Sequence, residues 1–215
     1  MNAAAMFDTV FRRAEAGRAA PFTLRHTTGG VHRFDPAAWC GDDLPGDGAL
    51  LRRCTGPTLD IGCGPGRLVA ALARAGRPAL GIDISAAAVR LARRRGAAVL
   101  RRDVFDPLPG TGRWHHVLLA DGNIGIGGDP RRLLHRCARL LAAHGRLHVE
   151  AAPPGTAGWS GTAVVQTRPA PAYGSVLRWA SVPVDELPAL ADAAAMRVLD
   201  TWTEAGRWFA TLTRR

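Results

Sequence analysis

The stretch "TLDIGCGPGRLVAAL", Thr58 to Leu72, sets an acid and three glycines on alternating positions: Asp60, Gly62, Gly64 and Gly66. An apolar run leads in and an Ala/Leu-rich run leads out, so it reads as strand, tight turn and helix. Glycine-rich turns of this kind often cradle phosphate. A dinucleotide fingerprint, however, needs its third glycine at residue 67, which is Arg67. A P-loop needs a lysine before Ser or Thr, and the chain has no lysine at all. The phosphate reading fails on residues.

Outward from this loop the alternation continues. Strand-like runs at 57–61, 78–84, 97–104, 115–121 and 145–152 are separated by helical patterns at 66–76, 85–96 and 129–145. Ser85 and Asp129 are good helix caps, Pro130 suits a first turn, and Gly145 suits a C-terminal cap. Such alternation builds right-handed βαβ units and a parallel sheet. A further helix is expected at 184–195, then two strands across 196–214 joined at "EAG". The expected fold is α/β and doubly wound: a mostly parallel seven-stranded sheet with an antiparallel terminal hairpin strand and helices on both faces. One domain is expected over 1–215, with its core in 51–152 and 183–215. Residues 1–50 read as a lid or substrate segment, holding one amphipathic helix at 5–17 and otherwise irregular sequence. The Pro/Gly-rich stretch 153–182 reads as an insertion near the substrate pocket.

Composition bounds the function. The chain of 215 residues is 47% apolar and carries a formal charge of +10. With lysine absent, Schiff-base chemistry is excluded. The arginines are spread along helical patterns such as "RLARRRG" and "PRRLLHRCARLL", which reads as a solvated surface; a nucleic-acid partner stays open but is not favoured. No apolar run is long enough for a membrane span, and the N-terminus lacks the pattern of a secretory signal. Cys40, Cys54, Cys63 and Cys137 show no CxxC pair or Cys/His zinc spacing, so no metal is expected, and reduced thiols in a cytoplasm fit best.

Asp60-Ile-Gly62-Cys63-Gly64-Pro65-Gly66 resembles the first motif, acid-x-Gly-x-Gly-x-Gly, of the class I S-adenosylmethionine-dependent methyltransferases. The resemblance covers residues 55–152 and 184–213. It implies S-adenosylmethionine as cofactor, leaving as S-adenosylhomocysteine, held by Asp60, Gly62, Cys63, Gly64 and Gly66. Asp83 in "GIDIS" stands where the family places the acid that holds both ribose hydroxyls, with Ile84 beside it. Asp103 and Val104 stand where the adenine is usually met. Asp121 ends the fourth strand, where methionine and substrate contacts commonly arise.

Methyl transfer is an in-line displacement that chiefly needs positioning, with a base where the acceptor must lose a proton. His26, His32 and Asp121 are the candidate catalytic residues; His148, Glu150 and Asn123 lie near the same strand ends. His115 and His116 fall at the opposite end of their strand, and His135 and His144 on a helix. The Asn/Asp-Pro-Pro-aromatic run of related nucleic-acid amino-methylating enzymes is missing after the fourth strand, which reads "ADGNIGIGG", and so is a Pro-Cys nucleophile. Phe22, Phe34 and Trp39 with the two histidines look like a lid, and Trp159, Tyr173 and Trp179 like an opposite wall suited to a planar or cationic acceptor. The expected protein is a methyltransferase for a small-molecule acceptor, as monomer or homodimer. The alternatives are an RNA or protein methyltransferase and a non-catalytic S-adenosylmethionine-binding module; a nicotinamide oxidoreductase ranks below these.

Overall fold

The computed structural model describes residues 3–18, 21–167 and 176–215. Seven strands form the main sheet: β3 (Thr58–Ile61), β4 (Ala79–Asp83), β5 (Val99–Arg101), β6 (Trp114–Leu119), β7 (Leu141–Ala151), β10 (Met196–Glu204) and β11 (Arg207–Arg214). Their spatial order is β10-β11-β7-β6-β3-β4-β5. The β3–β4, β4–β5, β3–β6 and β6–β7 pairs are parallel, and β11 is antiparallel to both β7 and β10. The sheet therefore has the architecture that the alternation implies.

Chain direction across the sheet reverses between β3 and β6. That switch opens a crevice at the carboxyl ends of the strands, where ligands of open α/β sheets bind. All four residues of β3 are buried, as expected for a central parallel strand covered on both faces. The helices around the sheet are α4 (Arg67–Arg74), α5 (Ala86–Arg94), α6 (Pro130–Leu140) and α7 (Leu187–Ala193). Ser85 caps α5 by accepting from the Ala88 N–H, and Asp129 caps α6 by accepting from the Arg132 N–H.

Three local expectations are corrected. Helix α6 stops at Leu140, because Leu141 is fully buried and pairs with Trp114 as the first residue of β7. His144 therefore lies on a strand. Gly145 is a strand residue as well: a Cβ there would sit 2.7 Å from the Trp114 carbonyl oxygen.

The largest departure is at the N-terminus. After α1 (Ala3–Glu15), the sequence that reads as irregular forms the hairpin β1 (Phe22–His26) and β2 (Val31–Phe34), then α2 (Pro36–Trp39) and α3 (Asp47–Arg53). Strand β1 pairs with β8 (Trp159–Thr167), which pairs with β9 (Val176–Ser181), giving a second, antiparallel sheet in the order β2-β1-β8-β9. Its inner face, carrying Phe22, Leu24, Phe34, Val165, Leu177 and Trp179, packs with Met6 of α1 into a core of its own. None of the described helices is long and apolar enough to cross a membrane.

Candidate functional site

The chain leaves β3 through the glycine turn and enters α4. Gly62, Gly64 and Gly66 have φ of 70°, 52° and 79°, the left-handed region that glycine enters without strain. A Cβ on Gly62 would come within 2.8 Å of the Asn123 amide nitrogen, and one on Gly66 within 2.8 Å of the Ala92 Cβ. Gly66 thus brings α4 against α5. Backbone conformation and packing already require these glycines, whatever ligand approaches.

Asp83, the last residue of β4, ties the loop down. Its Oδ2 accepts from the Gly64 N–H at 2.9 Å and its Oδ1 from the Ser85 N–H at 2.8 Å. The residue is 8% exposed and faces a cavity of about 620 Å³. Burial outweighs the hydrogen bonds and raises its pKa to about 6.

Gly62, Cys63, Gly64, Asp83, Ile84, Asp103, Val104 and Asp121 all line this cavity. Across from them stand Phe7 and Phe11 of α1, with Phe34, Trp39 and Trp179. Asp8 fastens α1 down: its carboxylate accepts from the Ser85 hydroxyl at 2.6 Å and the Ala87 N–H at 2.9 Å, at the start of α5. Glu15 pairs with Arg90 and Arg94 further along the same helix.

Four expected site residues lie elsewhere. Asp60 is buried beneath the loop, 2% exposed, with its pKa raised to about 7 by burial and then by Asp121. Gly66 is spent on helix packing. His26 stacks on Trp159 with ring centres 5.1 Å apart and shares a hydrogen bond with the Thr28 hydroxyl. His32 packs against Phe34 with ring centres 4.4 Å apart and planes tilted by 52°, and covers Gly122 from outside the cavity lining; burial lowers its pKa. Of the expected opposite wall, Trp179 is on the cavity, Trp159 is not, and Tyr173 lies outside the described residues.

Asp121 has φ 53°, in the left-handed region that aspartate enters more readily than most residues with a side chain. Its N–H donates to Glu150 Oε2 at 2.6 Å. Its carboxylate receives Arg67 Nη2 at 3.1 Å and Arg207 Nη2 at 3.2 Å. The same guanidiniums hold Asp47, Arg67 at 2.6 Å and Arg207 at 2.8 Å, and Arg207 also reaches Glu150 at 2.7 Å. Burial pushes the Asp121 carboxyl upward despite Arg67. Burial also works to lower both arginines, but their carboxylate partners hold them above the ordinary guanidinium value.

Sequence reasoning missed Arg67, Asp47 and Arg207. Arg67 did leave a signal, since a cation in the first turn of a helix opposes the dipole and needs carboxylates nearby. Asp47 and Arg207 left none, because they come from distant segments.

A second polar cluster lies in the core. Donor atoms of Cys54, His116 and His148 are all within 4.8 Å of one another. The Thr55 N–H donates to His116 Nε2 at 3.1 Å, which leaves the His116 proton on Nδ1 to donate to His148 Nε2 at 3.0 Å. His148 Nδ1 then donates to the Thr211 hydroxyl at 3.0 Å. Burial lowers the two pKa values to about 4 and about 3. Both rings are neutral with every nitrogen engaged, so this is a hydrogen-bonded chain with no lone pair to spare for a cation. His148 is thereby removed from the catalytic candidates.

Residues 58–145 match the family described as "Methyltransferase domain". The matched stretch runs from β3 through the glycine turn to the first part of β7. No curated protein matches the sequence. Among solved structures, the domain resembles a SAM-dependent methyltransferase from Bacteroides fragilis in complex with S-adenosyl-L-homocysteine. The TM-score is 0.78 at 18% identity, over 97% of this chain and 94% of that one. The 1,6-didemethyltoxoflavin-N1-methyltransferase of Burkholderia thailandensis aligns with TM-score 0.56 at 19% identity, over 78% and 76% of the two chains. A sugar N-methyltransferase from Streptoalloteichus gives 0.57 at 24%, over 77% and 83%. At these identities the likeness is one of fold.

The cavity has residues that fit S-adenosylmethionine. Asp83 is an ionisable acceptor at the cavity edge, and a carboxylate has about four acceptor positions, enough for backbone N–H groups and ribose hydroxyls together. The turn offers bare backbone without the lysine of a phosphate cradle.

Proposed function

We propose that this methyltransferase acts on a small-molecule acceptor, with S-adenosylmethionine held between the glycine turn, Asp83 and Asp103. The observation that carries the reading is the buried Asp83 carboxylate, bonded to the turn and facing the cavity. Bound there, S-adenosylmethionine supplies a methyl group on a positively charged sulfur. Asp83 accepts the ribose hydroxyls, Ile84 and Val104 give the adenine apolar contact, and Asp121 offers negative charge to the methionine end.

The acceptor side follows from the aromatic wall. Phe7, Phe11, Phe34, Trp39 and Trp179 exclude water and present flat surfaces to a planar group. A cavity of about 620 Å³, roofed by α1, favours a small acceptor over a polymer. His26 and His32 lie off the lining, and Asp121 is gripped by two guanidiniums. The domain thus acts mainly by holding acceptor and donor in line, and Asp121 orients.

Calorimetric titration with S-adenosylmethionine, S-adenosylhomocysteine and NAD tests this, beside an Asp83→Ala variant. Binding of both adenosyl ligands, none of NAD, and roughly ten- to a hundredfold weaker binding in the variant are expected. A folded protein that binds neither adenosyl ligand rules the reading out. Tight binding with no methyl transfer across a broad acceptor panel would favour a non-catalytic binding module.

A further inference from the structure

Charge is divided unevenly around the cavity. On the Asp121 side, Arg67 and Arg207 are each held by two or more carboxylates, so that end is internally balanced. Three more arginines, Arg102, Arg132 and Arg178, line the same cavity. Among the described residues, no carboxylate lies within ion-pair distance of any of the three.

Two of these three converge on one place. The Arg132 guanidinium lies 4.1 Å over the Phe105 ring, and a Cβ on Gly127 would meet that ring at 3.1 Å. Arg178 Nε donates to the Gly127 carbonyl at 3.2 Å. Phe105 and Gly127 therefore brace two positive groups from different elements, α6 and β9, on the same rim. Each keeps nitrogens beyond those braces, and a planar guanidinium suits paired oxygens of carboxylate or phosphate. The methyl donor does not account for them: its adenine is neutral, and its single carboxylate belongs to the methionine end, toward Asp121.

We propose that Arg132 and Arg178, with Arg102 on the lining of the same cavity, form an anion-recognition site for the acceptor. The acceptor is then a flat molecule bearing a carboxylate or a phosphate, its anion at the Phe105–Gly127 rim and its ring against Trp179 and Phe34. This rests on the methyltransferase reading above and narrows its acceptor class. Because all three arginines are solvent-exposed, their contribution is moderate and sensitive to salt.

The test uses full-length protein saturated with S-adenosylhomocysteine. It is titrated with matched pairs: 4-hydroxybenzoate against 4-hydroxybenzamide, and 1-naphthyl phosphate against 1-naphthol. At least one anion should bind tenfold or more tightly than its neutral partner, and the preferred pair says whether carboxylate or phosphate is read. The preference should shrink to within about twofold in an Arg132→Gln/Arg178→Gln variant and on raising salt from roughly 50 to 500 mM. The variant should retain wild-type affinity for S-adenosylhomocysteine and its wild-type melting temperature; single substitutions serve if the double variant melts early. Equal binding of anion and neutral partner, no binding of any of the four, or a preference that survives in the variant overturns the proposal. Wild-type protein that does not take up S-adenosylhomocysteine overturns the underlying reading instead, and is seen before any acceptor is added.

Discussion

Asp83 Oδ2 and the Gly64 N–H are joined by a 2.9 Å hydrogen bond between the end of β4 and the turn after β3. The acid that faces the cavity also shapes the loop that lines it. Its pKa of about 6 makes cofactor binding sensitive to acid. Only the ionised form accepts on both oxygens, so S-adenosylhomocysteine affinity should fall as pH drops through 6. About a tenfold loss is expected between pH 7.5 and 5, by proton linkage. Calorimetry across that range checks it, and a flat profile would mean that the neutral acid binds as well.

Arg67→Met should be severe. It leaves Asp47 and Asp121 buried with Arg207 as their remaining guanidinium, and breaking a buried ion pair costs about 3–5 kcal/mol. Urea unfolding measures this. Adding Asp47→Asn to the Arg67→Met variant should recover part of the loss, because the unpaired charge is then removed.

The His116–His148 chain predicts acid sensitivity of the fold. Folded pKa values of about 4 and about 3 lie below the ordinary histidine value near 6.5. The unfolded chain therefore binds more protons, and stability is full above pH 6.5 and lost as pH falls toward 4 and then 3. The slope is about 1.4 kcal/mol per pH unit for each ring. Asp60 and Asp83, whose pKa values are raised, act in the opposite sense as they take up protons. The histidine contribution is accordingly the difference in slope between wild type and a His116→Gln variant.

Gly66→Ala combines two costs. The new methyl would sit 2.8 Å from the Ala92 Cβ and 2.9 Å from the Ala97 Cβ, and φ is 79°. Strain and overpacking together should destabilise by about 2–4 kcal/mol. A melting curve tests it; a change under about 0.5 kcal/mol would show that α4 and α5 can separate at little expense.

Asp8→Ala removes two hydrogen bonds at the start of α5, each worth about 0.5–1.5 kcal/mol. It also loosens α1, which carries Phe7 and Phe11 over the cavity. S-Adenosylhomocysteine should leave faster from the variant, read by stopped-flow displacement, with a smaller change in its association rate.

The sequence showed most clearly what is local. The run from Thr58 to Leu72 holds strand, turn and helix in adjacent residues, and Ser85 and Asp129 cap the helices they precede. Asp83, Asp103 and Asp121 could be placed because Asp83 ends β4 and the other two follow β5 and β6 by two residues. Pairing between distant segments could not be read. Phe22 to His26 has no strand partner nearby except the four residues of β2, and its other neighbour is β8. Asp47 meets Arg207 only after the terminal hairpin has closed. His26 and His32, expected in irregular sequence, fall on β1 and β2 and off the cavity lining, because the hairpin that holds them pairs with the distant β8.

The stitching of β1 to β8 bears on how the chain is made. Phe22, Leu24 and Phe34 emerge from the ribosome early, and the strand that covers them, ending at Thr167, emerges much later. Contacts so far apart in sequence form slowly, and unpaired apolar strands aggregate while they wait. The main sheet is built from consecutive units and can assemble as it appears. The small sheet closes only once β8 and β9 have followed β3 to β7, and the aromatic wall of the cavity is finished only when it does.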